Sequence, residues 1–505
     1  MINLILSTIL LASMSGQNTP QAPSPGALRL IRTASALTSS SVAPPRQLTV
    51  AEAWIATARA DIGAEPPQGP PDSVTATPQL MATWASSAID AAAASPLASS
   101  AVAYAQVQTE TIARLLQDVD ATGTEPPDPK ALARVLLLAS ELALVSGDTT
   151  AAGELAHRAA ATRNWRENIT IHGITSLSTV LARLKDCQGI TKLSQSIPPS
   201  QLPEVIAAAA TQPTCEALTA ELIKNPALGE DGRTALLIDQ LNRVHASAAT
   251  DLLLAQSPEV MKTPALRLTI ARTFFEDGKF DRGLEIIGGN TILERLQGRD
   301  RALMYLAMAQ GHARNGDFEK ALALIPQIGG IDTRFYALVA IQSRMLAQGA
   351  IEPNQVLDGI KTLRSVRTTA LDQWLPTIAT RPTPMDRVMD ALLQSGRFEL
   401  GATLLTPLFS PSNQSGDDWL DRRIALLARA LANSKPQEDD AWATLIEHVS
   451  WCARVDQQVR ALCTIAMCWQ SARANDPLPD TVRSALSKAI EAIATGNNQR
   501  PQRTP

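Results

Sequence analysis

Five histidines, five cysteines and a few acid pairs carry most of the reactive chemistry available to this chain of 505 residues. His157, His172, His245, His312 and His448 form no His-Glu-x-x-His pair and no close couple, so a helical metal-ligand set is missing. His157 and His172 fall in neighbouring expected helices and read as helix-face imidazoles. Gly288-Gly289-Asn290 reads as a helix-ending turn. No glycine-rich phosphate loop and no Gly-x-Ser-x-Gly nucleophile elbow occurs. Asp417-Asp418 and Glu438-Asp439-Asp440 precede helical runs, where carboxylates favour the positive dipole end and act as caps. Cys187, Cys215, Cys452, Cys463 and Cys468 include no Cys-x-x-Cys pair, which excludes a zinc ribbon or thioredoxin-like site. They read as small buried hydrophobes; an oxidising compartment leaves Cys187 with Cys215, or Cys452 with Cys463, open as bridges. The expectation is a non-enzymatic protein with no catalytic residue, cofactor or metal.

The elements that would carry a binding surface instead are helical. Net charge is −4, which recruits neither nucleic acid nor an anionic membrane. Hydrophobic residues make up 45% of the chain but aromatic ones only 4%, and much of the rest is Ala. Ala is the best helix former and permits close helix approach, so an all-α fold is expected. Long segments fit a 3.6-residue period, and no alternating strand pattern appears.

Leu4 to Leu11 is an apolar run followed by Ala12, Ser13 and Ser15, the pattern of a signal peptide over residues 1–15. No Lys or Arg precedes Arg29, so a buried or frayed N-terminal helix is the other reading. Export, periplasmic or secreted, is the expectation. No other stretch is long and apolar enough to span a bilayer. Residues 16–47 read as a disordered Pro/Ser/Thr-rich linker, and 48–129 as an N-terminal helical segment with Pro-rich connectors. In that segment Thr49 caps a helix through Ile62 with Glu52 in a capping box, and a pair at 78–94 and 97–120 breaks at Ser95-Pro96. Residues 130–260 read as divergent helical hairpins, 261–495 as repeats and 496–505 as a disordered tail.

The repeats share one grammar. Phe275-Glu276-Asp277-Gly278-Lys279-Phe280, Ala313-Arg314-Asn315-Gly316-Asp317-Phe318 and Leu393-Gln394-Ser395-Gly396-Arg397-Phe398 each end a helix at Gly and place Phe two residues later. Gly283, Ala321 and Gly401 follow three residues after Phe and let the second helix pack closely. Ala-Leu pairs at 302, 337 and 370, and again at 391, 425 and 461, recur at 33–36 residues, with a break around Pro376, Pro382 and Pro384. This unit resembles the tetratricopeptide repeat family, most clearly across 264–475. The resemblance implies an α-solenoid of antiparallel helix pairs, a right-handed superhelix with a concave face. In that family a peptide lies along the first helices, which here places Arg272, Gln310, Arg314 and Asp390 on the groove. The family's terminal-carboxylate clamp of Lys, Asn and Arg is not matched. Eight tryptophans, four of them between 419 and 469, read as packing between helices, or else as an exposed anchor for a partner.

The function expected is therefore an exported scaffold that binds a protein or peptide. The alternatives are a peptidoglycan-acting envelope enzyme with a superhelical domain, and a purely structural helical spacer.

Overall fold

The structure is a computed structural model. It describes residues 22–329 and 420–495 apart from short internal stretches (chiefly 123–128, 163–170, 230–246 and 257–263), and scattered positions between 334 and 350. The expected signal peptide, the third copy of the repeat grammar, Asp390 and the C-terminal tail lie outside the described residues. All regular elements among the described residues are helices.

The chain forms two units. One combines the N-terminal stretch through Arg163 with residues from Gly396 onward; the other is Asn164–Ser395. In the first, α1 (Pro25–Ser40), α2 (Pro45–Asp61), α3 (Pro78–Ala94), α4 (Ser99–Thr122), α5 (Pro129–Val145) and α6 (Thr149–Ala161) are joined by α7 (Leu420–Ser434), α8 (Asp439–Glu447), α9 (Val455–Ala472) and α10 (Asp480–Ala494). The expected repeats over 261–495 therefore fall in both units, and α9 among the last of them buries its apolar face on α1 and α2.

The linker expected over 16–47 is replaced by α1 across Pro25–Ser40. Its Ser- and Thr-rich composition conceals an amphipathic stripe: Ala27, Leu30, Ile31 and Ala34 are buried, while Arg29 and Arg32 face outward. Ser24 caps it by accepting from the Ala27 N–H, and Pro25 supplies the preset φ of a first turn. Helix α2 starts at Pro45, earlier than Thr49, so Thr49 lies inside it, buried, and the expected capping box does not form. Helix α3 spans 78–94 and the break at Ser95-Pro96 precedes α4, as expected.

Helix α9 is the centre of this unit. Val459, Leu462, Ile465, Ala466, Met467 and Trp469 are buried, and α1, α2 and α7 pack around it. Trp442 on α8 meets Trp469 edge to face with ring centroids 5.3 Å apart. Arg473 lies over Trp469 and pairs with Asp439 at 2.7 Å. Trp54 and Trp84 are buried as well, so these tryptophans serve packing.

A polar seam crosses the apolar packing. The Asp61 carboxylate at the end of α2 accepts from Ser95 Oγ at 2.5 Å, and its Oδ2 has no hydrogen-bond partner. Arg429 of α7 donates to the Ala94 carbonyl, and the Cys468 thiol of α9 shares this electrostatic environment. Burial pushes the Asp61 carboxyl up to about 6, with the Ser95 hydrogen bond opposing. Burial pushes His448 the other way, down to about 4.

The signs are opposite. The Asp61 contribution is fully present below the ordinary Asp range and is lost as pH rises through about 6. The His448 contribution is present above the ordinary His range and is lost as pH falls toward 4. Asp61→Asn should therefore raise the melting temperature at pH 7.5, by a stabilisation on the order of 2 kcal/mol. That advantage should shrink toward zero as pH is lowered to 4.5. Thermal melts of both proteins across pH 4.5–8 check this.

Candidate partner-binding face

The second unit runs through α11 (Ile171–Arg183), α12 (Cys187–Ser196), α13 (Leu202–Ala210), α14 (Glu216–Lys224), α15 (Ser247–Gln256), α16 (Pro264–Glu276), α17 (Phe280–Ile287), α18 (Gly298–Arg314) and α19 (Phe318–Ala323). Helix α16 packs on α17, α18 packs on α19, and α16 also packs on α18. The first helix of one pair thus lies on the first helix of the next.

The turn chemistry explains this arrangement. Gly278 has φ +76° and Gly316 has φ +82°, the left-handed conformation that an L side chain rarely adopts. Lys279 N–H donates to the Phe274 carbonyl and Asp317 N–H to that of His312, closing a Schellman turn in each case. The small residue three positions after Phe does its expected work. Gly283 lies on the Phe275 ring, where a Cβ would collide, and Ala321 is fully buried. Gly311 of α18 crosses α16 so closely that a Cβ would run into the Phe275 carbonyl oxygen. Phe280 stacks on His312 with centroids 4.0 Å apart. Burial holds His312 below its ordinary pKa, opposed by Asp317 with its carboxylate 3.6 Å away.

Three of the four expected groove residues can be placed. Arg272 lies on α16, where its Nε is 3.5 Å from Glu276. Gln310 and Arg314 lie one turn apart on α18, and Arg314 reaches across to Asp277 at 2.7 Å. Lys279 approaches the same carboxylate at 3.8 Å. Glu276 and Asp277 therefore tie both arginines to the end of α16, giving a patch of mixed sign. Gln310 is half-buried beside Gly311 in the sequence of α18.

The two acids were not identified as site residues, although they stand immediately before Gly278 in the repeat grammar. The signal for Asp277 is position, since a carboxylate at a helix end meets an arginine at the end of the next first helix; Glu276 instead pairs with Arg272 four residues earlier on the same helix. Asp390 lies outside the described residues.

Other reactive side chains are scattered. No cluster of three or more metal-ligating groups occurs among the described residues. His157 is exposed on α6, and His448 is buried against Trp451 in the other unit. Cys187 and Cys215 are disulfide-bonded, tying the start of α12 to the turn before α14. This corrects the reading of all five cysteines as buried thiols in favour of the Cys187–Cys215 alternative; Cys452, Cys463 and Cys468 are buried and form no disulfide among the described residues. Burial pushes the Cys468 thiol up to about 12 and Cys463 still further, which makes both poor nucleophiles.

No protein-family model matches the chain, and no curated protein matches it. No helix among the described residues is long and apolar enough to cross a membrane.

Gly311→Ala should destabilise the second unit by about 1–3 kcal/mol, because the backbone of α16 must move to admit a methyl group. Arg314→Ala, which removes a half-exposed ion pair, should cost only about 0.5 kcal/mol. Urea denaturation of the two variants checks the order; an equal or reversed effect contradicts the close crossing.

Proposed function

We propose that this chain is an exported, non-enzymatic helical-repeat scaffold that binds a protein or peptide. The single observation that supports it most is the stacking of like on like: α16 on α18 in one unit, α7 on α9 and α8 on α10 in the other. That is the contact pattern expected when antiparallel helix pairs stack as a solenoid of the kind the tetratricopeptide repeat resemblance implies.

The partner face in this reading is the first-helix side of α16 and α18, with Arg272, Gln310 and Arg314 on it. The corresponding side of α9 is taken by α1 and α2, so it is the less suitable surface. Mixed charge suits a partner with both acidic and basic side chains, held by shape and by rim-type ion pairs. The Cys187–Cys215 bond supports an oxidising compartment, since such bonds persist outside the reducing cytosol.

Two experiments test the reading. In the full chain, Arg272→Gln together with Gln310→Ala should weaken capture of a cross-linked native partner at least about tenfold, with the melting temperature nearly unchanged, since the exchange removes one partly exposed ion pair and adds no like-charge contact. Arg314 is left intact because it holds Asp277. Capture unaffected by the double change, or turnover of cell-wall material abolished by one point mutation, overturns it. Alkylation of the unreduced, denatured protein from its native compartment should label three cysteines, and Cys187→Ser should cost about 2–4 kcal/mol. Five labelled thiols contradict the assignment of an oxidising compartment.

A further inference from the structure

The contact between α1 and α9 is held in an unusual way. The Gln470 side chain reads only main-chain groups of the N-terminal segment: Ser24 N–H donates to its Oε1 at 2.7 Å, and its Nε2 donates to the Ala22 carbonyl at 3.2 Å. Gly26 N–H donates to the Asp476 carbonyl, which also accepts from Trp469 Nε1. Gly26 lies so close to the Trp469 indole and to that carbonyl that a Cβ would strike both. Beyond this entry, Ala27, Leu30, Ile31 and Ala34 fill the groove.

Only the short link Ser41–Pro44 joins α1 to α2. Ser41 and Pro44 are extended, Pro45 follows, and Val42 is wholly exposed. A copy of α1 from another molecule would make every one of these contacts unchanged, since the sequence is the same. Only the dihedrals of the link would differ. A short, proline-stiffened link lowers the cost of opening relative to closing, and this favours exchange of identical elements. An opened molecule exposes the apolar stripe of α1 and the edge of Trp469 together, so it has strong reason to be refilled by another copy.

We propose that α1 is an exchangeable clasp: it closes the α9 groove within one molecule, and reciprocally between two copies of this chain to form a dimer. The surface is the groove of α9 around Gln470, Trp469 and Asp476, and the occupant is residues 22–40 of the second copy.

The test uses the full chain and light scattering after size exclusion. Deleting Val42 and Ala43 shortens the link so that α1 no longer folds back, and the protein should shift to twice the chain mass. Adding Gly26→Val to that deletion blocks docking and should reduce the dimer at least about tenfold. A dimer that persists in the doubly changed protein overturns the proposal, and so does a deletion variant that stays monomeric. A second measurement guards against loss of folding. A fluorescent synthetic peptide of residues 22–41 should bind the full chain carrying Gly26→Val, whose own clasp is released, and should bind the wild type at least about tenfold more weakly. No binding to the Gly26→Val chain while its helical circular dichroism is retained overturns the proposal. Unfolding of that chain overturns it too, because α1 is then fixed core and not an exchangeable piece.

Discussion

Burial of α9 is the constraint on which the first unit depends. A helix of this length is marginal alone in water, and its stability comes from neighbours that cover its apolar surface. Here the cover is supplied by α1, α2 and α7, two of which come from the far end of the chain. Ala-rich faces allow the close approach, and Gly26 against Trp469 is its tightest point. The consequence is a unit made of two chain segments, whose N-terminal turn is recognised through its backbone by Gln470.

Polar groups inside this packing add specificity at some cost in stability. Gln470 has main-chain partners for both ends of its amide, so its burial leaves nothing unsatisfied there. Arg473 is buried but paired with Asp439 and stacked on Trp469. Asp61 is different, because one carboxylate oxygen is satisfied by Ser95 and the other is not. A buried half-satisfied carboxylate favours its neutral form, which explains the upward direction of its pKa. In the second unit the same economy of small residues operates at Gly283 and Gly311, with the charged groups kept at the helix ends.

Local chemistry was legible in the sequence where one residue type decides the outcome. The helix stops at Gly278 and Gly316, the small residues Gly283 and Ala321, and the break at Ser95-Pro96 were all read from residue identity. Asp148 caps α6 after the left-handed turn at Gly147. Helix α1 was missed because its composition resembles a linker, while its period-3.6 stripe acquires meaning only with α9 beside it. The left-handed turn before α12 falls on Lys185, so no glycine marks that boundary in the sequence. The division of the C-terminal repeats from their neighbours was illegible, because periodicity gives the face of a helix and not the partner that covers it. Of the expected groove residues, Arg272, Gln310 and Arg314 rest on repeat register alone. The Arg314–Asp277 pair needed the crossing of α16 and α18 to become visible, whereas Arg272 and Glu276 pair within one helix.

The most direct measurement of the central claim is native-state hydrogen exchange of the full chain, resolved by peptide. If α9 owes its burial to the N-terminal helices, amides of residues 50–61 of α2 and 459–469 of α9 should be protected to a similar degree and open together as denaturant is added. Unfolded-state exchange across 50–61, with 459–469 still strongly protected, would contradict the account.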